Sequence, residues 1–199
     1  MMNQTFWNQM YSAAEYAYGV DPNDFLTTIP FKANSKILCL AEGQGRNAVY
    51  LATQGHDVTM IDYSETGLHR AHELATNKGV SINTQLADLS DYRFEKEKWD
   101  AIVVIFGHFP SHIRNTIYTQ IPDALKHDGK FVSETYSAEQ IAFGTGGPKD
   151  PDMMPTEKEL HEYFQSFKEL SIQKIQRTIH EGSYHNGESS VIQIIAQKC

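Results

Sequence analysis

The chain has 199 residues, enough for one well-buried core and little more, so one domain with a short N-terminal extension is expected. Lysine and arginine number 17 against 25 aspartates and glutamates, a formal net charge of -8; without a basic excess to release counterions, nucleic acid is not the expected partner. Two cysteines, Cys39 and Cys199, rule out a disulfide framework and point to a reducing cytoplasm.

No apolar run approaches the ~18 residues needed to span a membrane, and the polar start around Phe6 and Trp7 carries no signal-peptide core. Residues 5–18 are helix-compatible and rich in aromatics, which suits a helix packed on the domain edge or a lid over a ligand cleft. Gly19 to Pro22 is a turn, and residues 24–29 read as a short helix ended by Pro30. Residues 1–30 are therefore taken as a helical extension or lid and residues 31–199 as the main domain.

Strand–helix units follow. Ile37, Leu38 and Leu40 fit a strand buried on both faces; Gly43 and Gly45 allow positive φ; Ala48, Val49, Leu51 and Ala52 mark a helix closed by Gly55. Residues 57–62 form the second strand, and Ser64 caps a helix carrying Leu68, Ala71, Leu74 and Ala75. The alternation in residues 82–87 predicts an outer third strand, whereas residues 100–106, continuously apolar after Asp100, predict a central fourth. Ile113, Ile117 and Ile121 recur at helical spacing up to Pro122, and Asp128-Gly129 turns into a fifth strand over 130–135. Residues 143–151 are a long loop dense in glycine and proline, of a length that is usually functional or mobile. Thr156 and Glu159 form a capping box before Leu160, Tyr163, Phe164 and Phe167. Two strands, about 169–180 and 188–197, flank residues 182–187 as a terminal antiparallel hairpin.

The chemistry concentrates on the strand–glycine–helix passage. Such a turn leaves free N–H groups at the helix start, ready for a ligand, and Asp62, about 20 residues after the glycines, suits two ribose hydroxyls. Gly43-x-Gly45-x-x-Ala48 also satisfies the dinucleotide fingerprint, but Glu42 in the turn would repel a pyrophosphate while suiting a cationic ligand. At the carboxyl ends of the fourth and fifth strands, His108 is the candidate substrate-facing base or donor, with Tyr136 beside it in role. His180, Glu181, Tyr184 and His185 sit near the hairpin turn, where they either reach over the site or are solvated; Arg114 and Arg177 are available for an anion or are surface charges. His108 with His112 and His69 with His72 lack a third ligand at metal spacing, so no metal is expected.

Ala41-Glu42-Gly43-Gln44-Gly45-Arg46-Asn47, then Ile61-Asp62-Tyr63-Ser64, Leu86-Ala87-Asp88-Leu89, a strand opening on Trp99-Asp100 and a final hairpin resemble a class I S-adenosylmethionine-dependent methyltransferase over residues 35–197. The likeness is nearest to the tellurite-resistance (TehB-like) enzymes and, more distantly, to the thiopurine methyltransferases. It implies a Rossmann-like, doubly wound seven-stranded α/β sheet, mostly parallel with an antiparallel last strand. It also implies S-adenosylmethionine as cofactor: Ala41, Glu42, Gly43 and Gly45 hold its methionine part, Arg46 and Asn47 match the helix start, Asp62 takes the ribose hydroxyls, Ala87 with Asp88 the adenine edge, and Tyr63 is a further cofactor-binding residue. Cys39 stands where the family often has an acid and Ala41 where it has a glycine, so the ammonium is assigned to Glu42. The implied activity is methyl transfer to a small molecule, a thiol or a chalcogen oxyanion. A nicotinamide-dependent oxidoreductase and a non-catalytic S-adenosylmethionine-binding protein are the alternatives.

Overall fold

The structure, a computed structural model, describes residues 3–199; Met1 and Met2 lie outside them. Five segments, β1 (Lys36–Leu40), β2 (Asp57–Asp62), β3 (Asn83–Leu86), β4 (Trp99–Ile105) and β5 (Leu125–Tyr136), pair in parallel. A terminal hairpin of β6 (Glu169–Glu181) and β7 (His185–Gln197) completes one seven-stranded sheet in the order β3-β2-β1-β4-β5-β7-β6, with β7 antiparallel to both neighbours. The expected class, a doubly wound α/β sheet, is the one found. The most apolar strand, β4, occupies the middle and the alternating β3 an edge.

Period-two alternation sorts the core onto both faces of the sheet. Leu38 and Leu40 of β1 and Ile102 and Val104 of β4 face α5 (Ser111–Tyr118), α6 (Ile121–Ala124) and α8 (Glu157–Phe164) through Ile117, Ile121 and Phe164. Ile37 and Cys39 with Ala101 and Val103 face α3 (Arg46–Thr53) and α4 (Glu65–Asn77) through Ala48, Val49, Leu68 and Ala71. Strands buried on both sides need apolar residues at every position, which is why β1 and β4 read as unbroken apolar runs. The chain winds outward from β1 to β3, then crosses to β4 and winds the other way, so a crevice opens at the carboxyl ends of β1 and β4.

Four local expectations change. The helix expected over 5–18 ends early, as α1 (Gln4–Tyr11), because the next residues are drawn onto the main domain: Arg70 Nη2 donates to the Ala14 carbonyl (2.7 Å), Tyr16 Oη to the Arg70 carbonyl (3.1 Å) and the Ala17 N–H to Gln44 Oε1 (2.8 Å). These tertiary bonds outweigh local helix propensity. The following short helix, α2 (Asp24–Thr27), is as expected. Pro122 does not continue the preceding helix but sits in the first turn of α6, where its missing N–H has no role. β5 begins at Leu125, five residues early, and shifts register through Asp128 at φ 62°. The hairpin turn is shorter than expected, since Gly187 (φ 124°) and His185 already belong to β7. The long glycine–proline loop follows α7 (Gln140–Phe143) and is tied down: Thr145 Oγ1 donates to the Glu188 carbonyl (2.6 Å) and the Asn186 N–H to the Thr145 carbonyl (3.1 Å).

Candidate functional site

The loop from β1 to α3 turns through Ala41, Gly43 and Gly45, at φ 50°, 58° and 84°. The glycines also allow close approach: a Cβ on Gly45 would stand 2.5 Å from the Ala71 Cβ, and one on Gly43 2.6 Å from the Tyr11 hydroxyl. Ala41 holds the left-handed conformation at a cost of roughly 1–2 kcal/mol.

Glu42 locks this turn. Its Oε1 accepts the N–H groups of Asn47 (2.8 Å) and Ala48 (3.0 Å), so the donors expected to be free at the start of α3 are satisfied by the chain's own carboxylate. The N-cap residue, Gly45, has no side chain for that task. Burial pushes the Glu42 pKa up to about 7, against the opposing pull of the two N–H groups and Arg46. Its Oε2 is buried without a partner, and so is Nε2 of Gln44. A carboxylate seated on the helix N-terminus repels a pyrophosphate there, which disfavours the dinucleotide reading. One unpaired acceptor and one unpaired donor instead match the ammonium and carboxylate of an amino acid, so the loop fits the methionine part of S-adenosylmethionine.

Asp62, at the end of β2, is buried; its Oδ2 accepts the Gly43 N–H and its Oδ1 the Ser64 N–H, both at 2.8 Å. Burial raises its pKa, with those N–H groups pulling the other way. The Tyr63 N–H is a third backbone donor to this carboxylate, which keeps capacity for a further donor. Tyr63 follows, its carbonyl accepting from Gln4 Nε2 (2.7 Å) and its hydroxyl pushed up to about 12 by burial, then by Asp62. The Ala87 N–H donates to the Asp62 carbonyl (3.1 Å), which brings Ala87 to the same edge. Asp88 is exposed and its Oδ1 accepts the Ser90 N–H (2.8 Å) in a local turn. Arg46 and Asn47 face away from this edge: Arg46 pairs with Glu181 at 2.5 Å and Asn47 Oδ1 accepts the Asn23 N–H at 2.9 Å. Above the loop lies α1, pinned where Asn8 Oδ1 accepts from Ser64 Oγ (2.6 Å), with the buried Tyr11 ring against Gly43. The two open depressions, 630 Å³ beside Arg70 and 340 Å³ beside His56, both lie away from this loop.

Next to the loop, across the crevice, is an aromatic cluster. Phe106, at φ 51°, turns the chain out of β4, and His108 stacks on Tyr136 at 5.4 Å between ring centres. His108 accepts the Tyr136 N–H on Nε2 (3.3 Å) and bonds the Phe106 backbone; burial, then His185, lowers its pKa to about 3. The Tyr136 hydroxyl is buried without a hydrogen bond, and burial raises its pKa. His185 from the hairpin closes the cluster, 4.7 Å from Phe106 and 5.2 Å from Tyr136. His180 instead pairs outward with Asn186.

Below the cluster runs a buried polar network that sequence reading passed over. Glu134, fully buried in β5, accepts from Arg177 Nη2 (2.5 Å), Gln193 Nε2 (2.5 Å) and Asn23 Nδ2 (2.8 Å). Asn23 Nδ2 also donates to Glu181 (2.8 Å), and thence the network reaches Arg46. The available signal was a carboxylate close after Phe131 and Val132 in the inner part of a strand. Arg177 is thus neutralised, and Arg114 likewise by Glu159 at 2.8 Å.

Residues 37–129 match a family described as a methyltransferase domain. The chain is 39% identical over 69 residues to the uncharacterized methyltransferase YbaJ of Bacillus subtilis (strain 168), covering 34% of this chain and 27% of that protein. It is 36% identical over 87 residues to the probable S-adenosyl-L-methionine-dependent methyltransferase TehB of Haemophilus influenzae, covering 40% and 30%. The matches therefore span less than a third of these relatives' own length. The crystal structure of Haemophilus influenzae TehB superposes with TM-score 0.71 at 20% identity, over 98% of this chain and 67% of that one. A structure reported for the conversion of a disulfide bond into a thioacetal group during echinomycin biosynthesis superposes with TM-score 0.74 at 15% identity, over 100% and 92%. The chain is thus similar to methyltransferases over residues 37–129 and shares the fold of the superposed structures.

Proposed function

We propose that the protein transfers a methyl group from S-adenosylmethionine to a small molecule whose accepting atom is a thiol sulfur or a chalcogen of an oxyanion. The observation that carries the reading is Glu42, which satisfies the N-terminal N–H groups of α3 with one oxygen and leaves the other, with Gln44 Nε2, buried and unpaired. In this reading Glu42 receives the ammonium, the Ala41 to Gly45 backbone and Gln44 the rest of the methionine part, and Asp62 the ribose hydroxyls. Tyr63, Ala87 and Asp88 border the adenine, while Arg46 and Asn47 act from behind by fixing the loop to Glu181 and Asn23. Held by these residues, S-adenosylmethionine would supply an electrophilic methyl group and a good leaving group. The protein's part is to align an acceptor and exclude water. The aromatic cluster at His108 and Tyr136 suits a soft acceptor. Residues 1–30 serve as the lid over the main domain, with Tyr11 at its centre. Two free cysteines, Cys39 and Cys199, accord with a cytoplasmic setting.

Calorimetric titration with S-adenosylmethionine and S-adenosylhomocysteine tests the reading, with Asp62→Ala as control. Binding by the wild type, lost in Asp62→Ala, is expected, followed by turnover in a screen of thiols and chalcogen oxyanions. A well-folded wild type that binds neither compound overturns it; binding without turnover on any acceptor leaves only a cofactor-holding protein.

A further inference from the structure

His108, the histidine that sequence position favours, accepts the Tyr136 N–H on Nε2, so the lone pair of that nitrogen is already engaged. His185 differs. Its ring is buried in the same cluster, 4.5 Å from Tyr18 as well as against Phe106 and Tyr136, yet Nδ1 has no hydrogen-bond partner. The only carboxylate paired with it is Glu181, whose Oε2 lies 3.7 Å from Nδ1. Glu181 is itself held rigidly by Arg46 and Asn23.

We propose that His185, oriented by Glu181, is the base that takes the proton of a thiol acceptor. The assignment rests on the methyl-transfer reading above. Glu181, facing Nδ1 at 3.7 Å, favours the neutral tautomer with its proton on that nitrogen and leaves Nε2, which makes no hydrogen bond in the structure, as the proton acceptor. The thiol S–H bond breaks, its electron pair stays on sulfur as the nucleophile, and the proton binds Nε2; the imidazolium then stands beside Glu181 and later releases the proton to solvent. The groups that face His185 are Glu181 from β6, Glu134 from β5, Arg46 from α3, and the Tyr18, Tyr136 and His108 rings. The two carboxylates favour its charged form; burial, Arg46 and a charged His108 oppose it.

The test uses the full chain with two aromatic-ring-bearing thiols of different acidity, one alkyl-type and one aryl. Phenylmethanethiol is largely protonated at neutral pH and needs a base, whereas 4-nitrothiophenol is already ionised. His185→Asn is expected to slow methylation of phenylmethanethiol about 100-fold while slowing 4-nitrothiophenol less than about 3-fold. Equal losses on both thiols overturn the assignment, because a packing role slows both alike. A second readout needs no turnover: the His185 ring C–H resonance, identified by its absence in His185→Asn, is followed by NMR against pH. Protonation at lower pH in Glu181→Gln than in the wild type is expected; an unchanged midpoint overturns the pairing. Wild-type protein that binds S-adenosylmethionine but methylates neither thiol overturns the base assignment alone, whereas absence of binding overturns the methyl-transfer reading beneath it.

Discussion

Glu42 is an acid whose folded pKa, about 7, lies above its ordinary value of 4.5 because burial disfavours its charge. The folded state therefore binds its proton more tightly than the unfolded chain, and stability falls as pH rises from about 4.5 through 7. Glu42→Gln keeps an oxygen for Asn47 and Ala48 and has no charge to bury. The variant's stability advantage in urea is expected to grow between pH 5 and pH 8, to on the order of 2–3 kcal/mol; a gap constant with pH refutes the ionisation argument. At pH 8 the same variant should bind S-adenosylmethionine about tenfold more weakly, since a charge-assisted contact to the ammonium is lost. Wild-type affinity should also fall as pH drops below about 7, and in Glu42→Gln that acid limb should disappear. Gly45 makes a different kind of prediction. A Cβ there meets Ala71 at 2.5 Å, a side chain fixed on a helix, and φ is 84°. Gly45→Ala should cost about 1–3 kcal/mol by thermal unfolding.

Among the elements, the hairpin does more than extend the sheet. β5, β6 and β7 bring Glu134, Arg177, Glu181 and Gln193 into one buried network that also captures Asn23 from the N-terminal segment. Two carboxylates and two guanidiniums, counting Arg46, leave the network neutral, so it holds the glycine loop, the hairpin and the segment before β1 in one geometry without a net buried charge. Removing one member leaves the others uncompensated. Glu134→Ala is expected to destabilise by about 3–5 kcal/mol in urea titration; a loss below about 1 kcal/mol would mean that water replaces the carboxylate at no great cost.

For the molecule as a whole, the crevice between β1 and β4 is roofed by α1 and bordered by the loop after α7, both joined to the main domain through polar contacts such as Asn8 to Ser64 and Thr145 to Glu188. Segments joined by side-chain contacts rather than by the ladder of the sheet are the first to open. Proteinase K cleavage within residues 1–30 and within 144–155 should slow when S-adenosylmethionine and a thiol are both present. Equal cleavage with and without ligands would mean that neither segment closes over the site.

Local pattern by itself determined the succession of strands and helices, the central place of β4, the edge place of β3, the glycine turn and the acid at the end of β2. Each of these follows from periodicity, glycine conformation or spacing within some 25 residues, and such signals need no knowledge of distant neighbours. Only the tertiary structure decided where polar side chains go. It directed Glu42 onto its own helix, turned Arg46 toward Glu181, engaged Nε2 of His108 and left a buried nitrogen of His185 unpaired. The partners of Arg46 and Asn23 lie 135 and 158 residues away in the chain, at Glu181. No local pattern carries such a pairing, because it exists only once β6 and β7 have folded against β5.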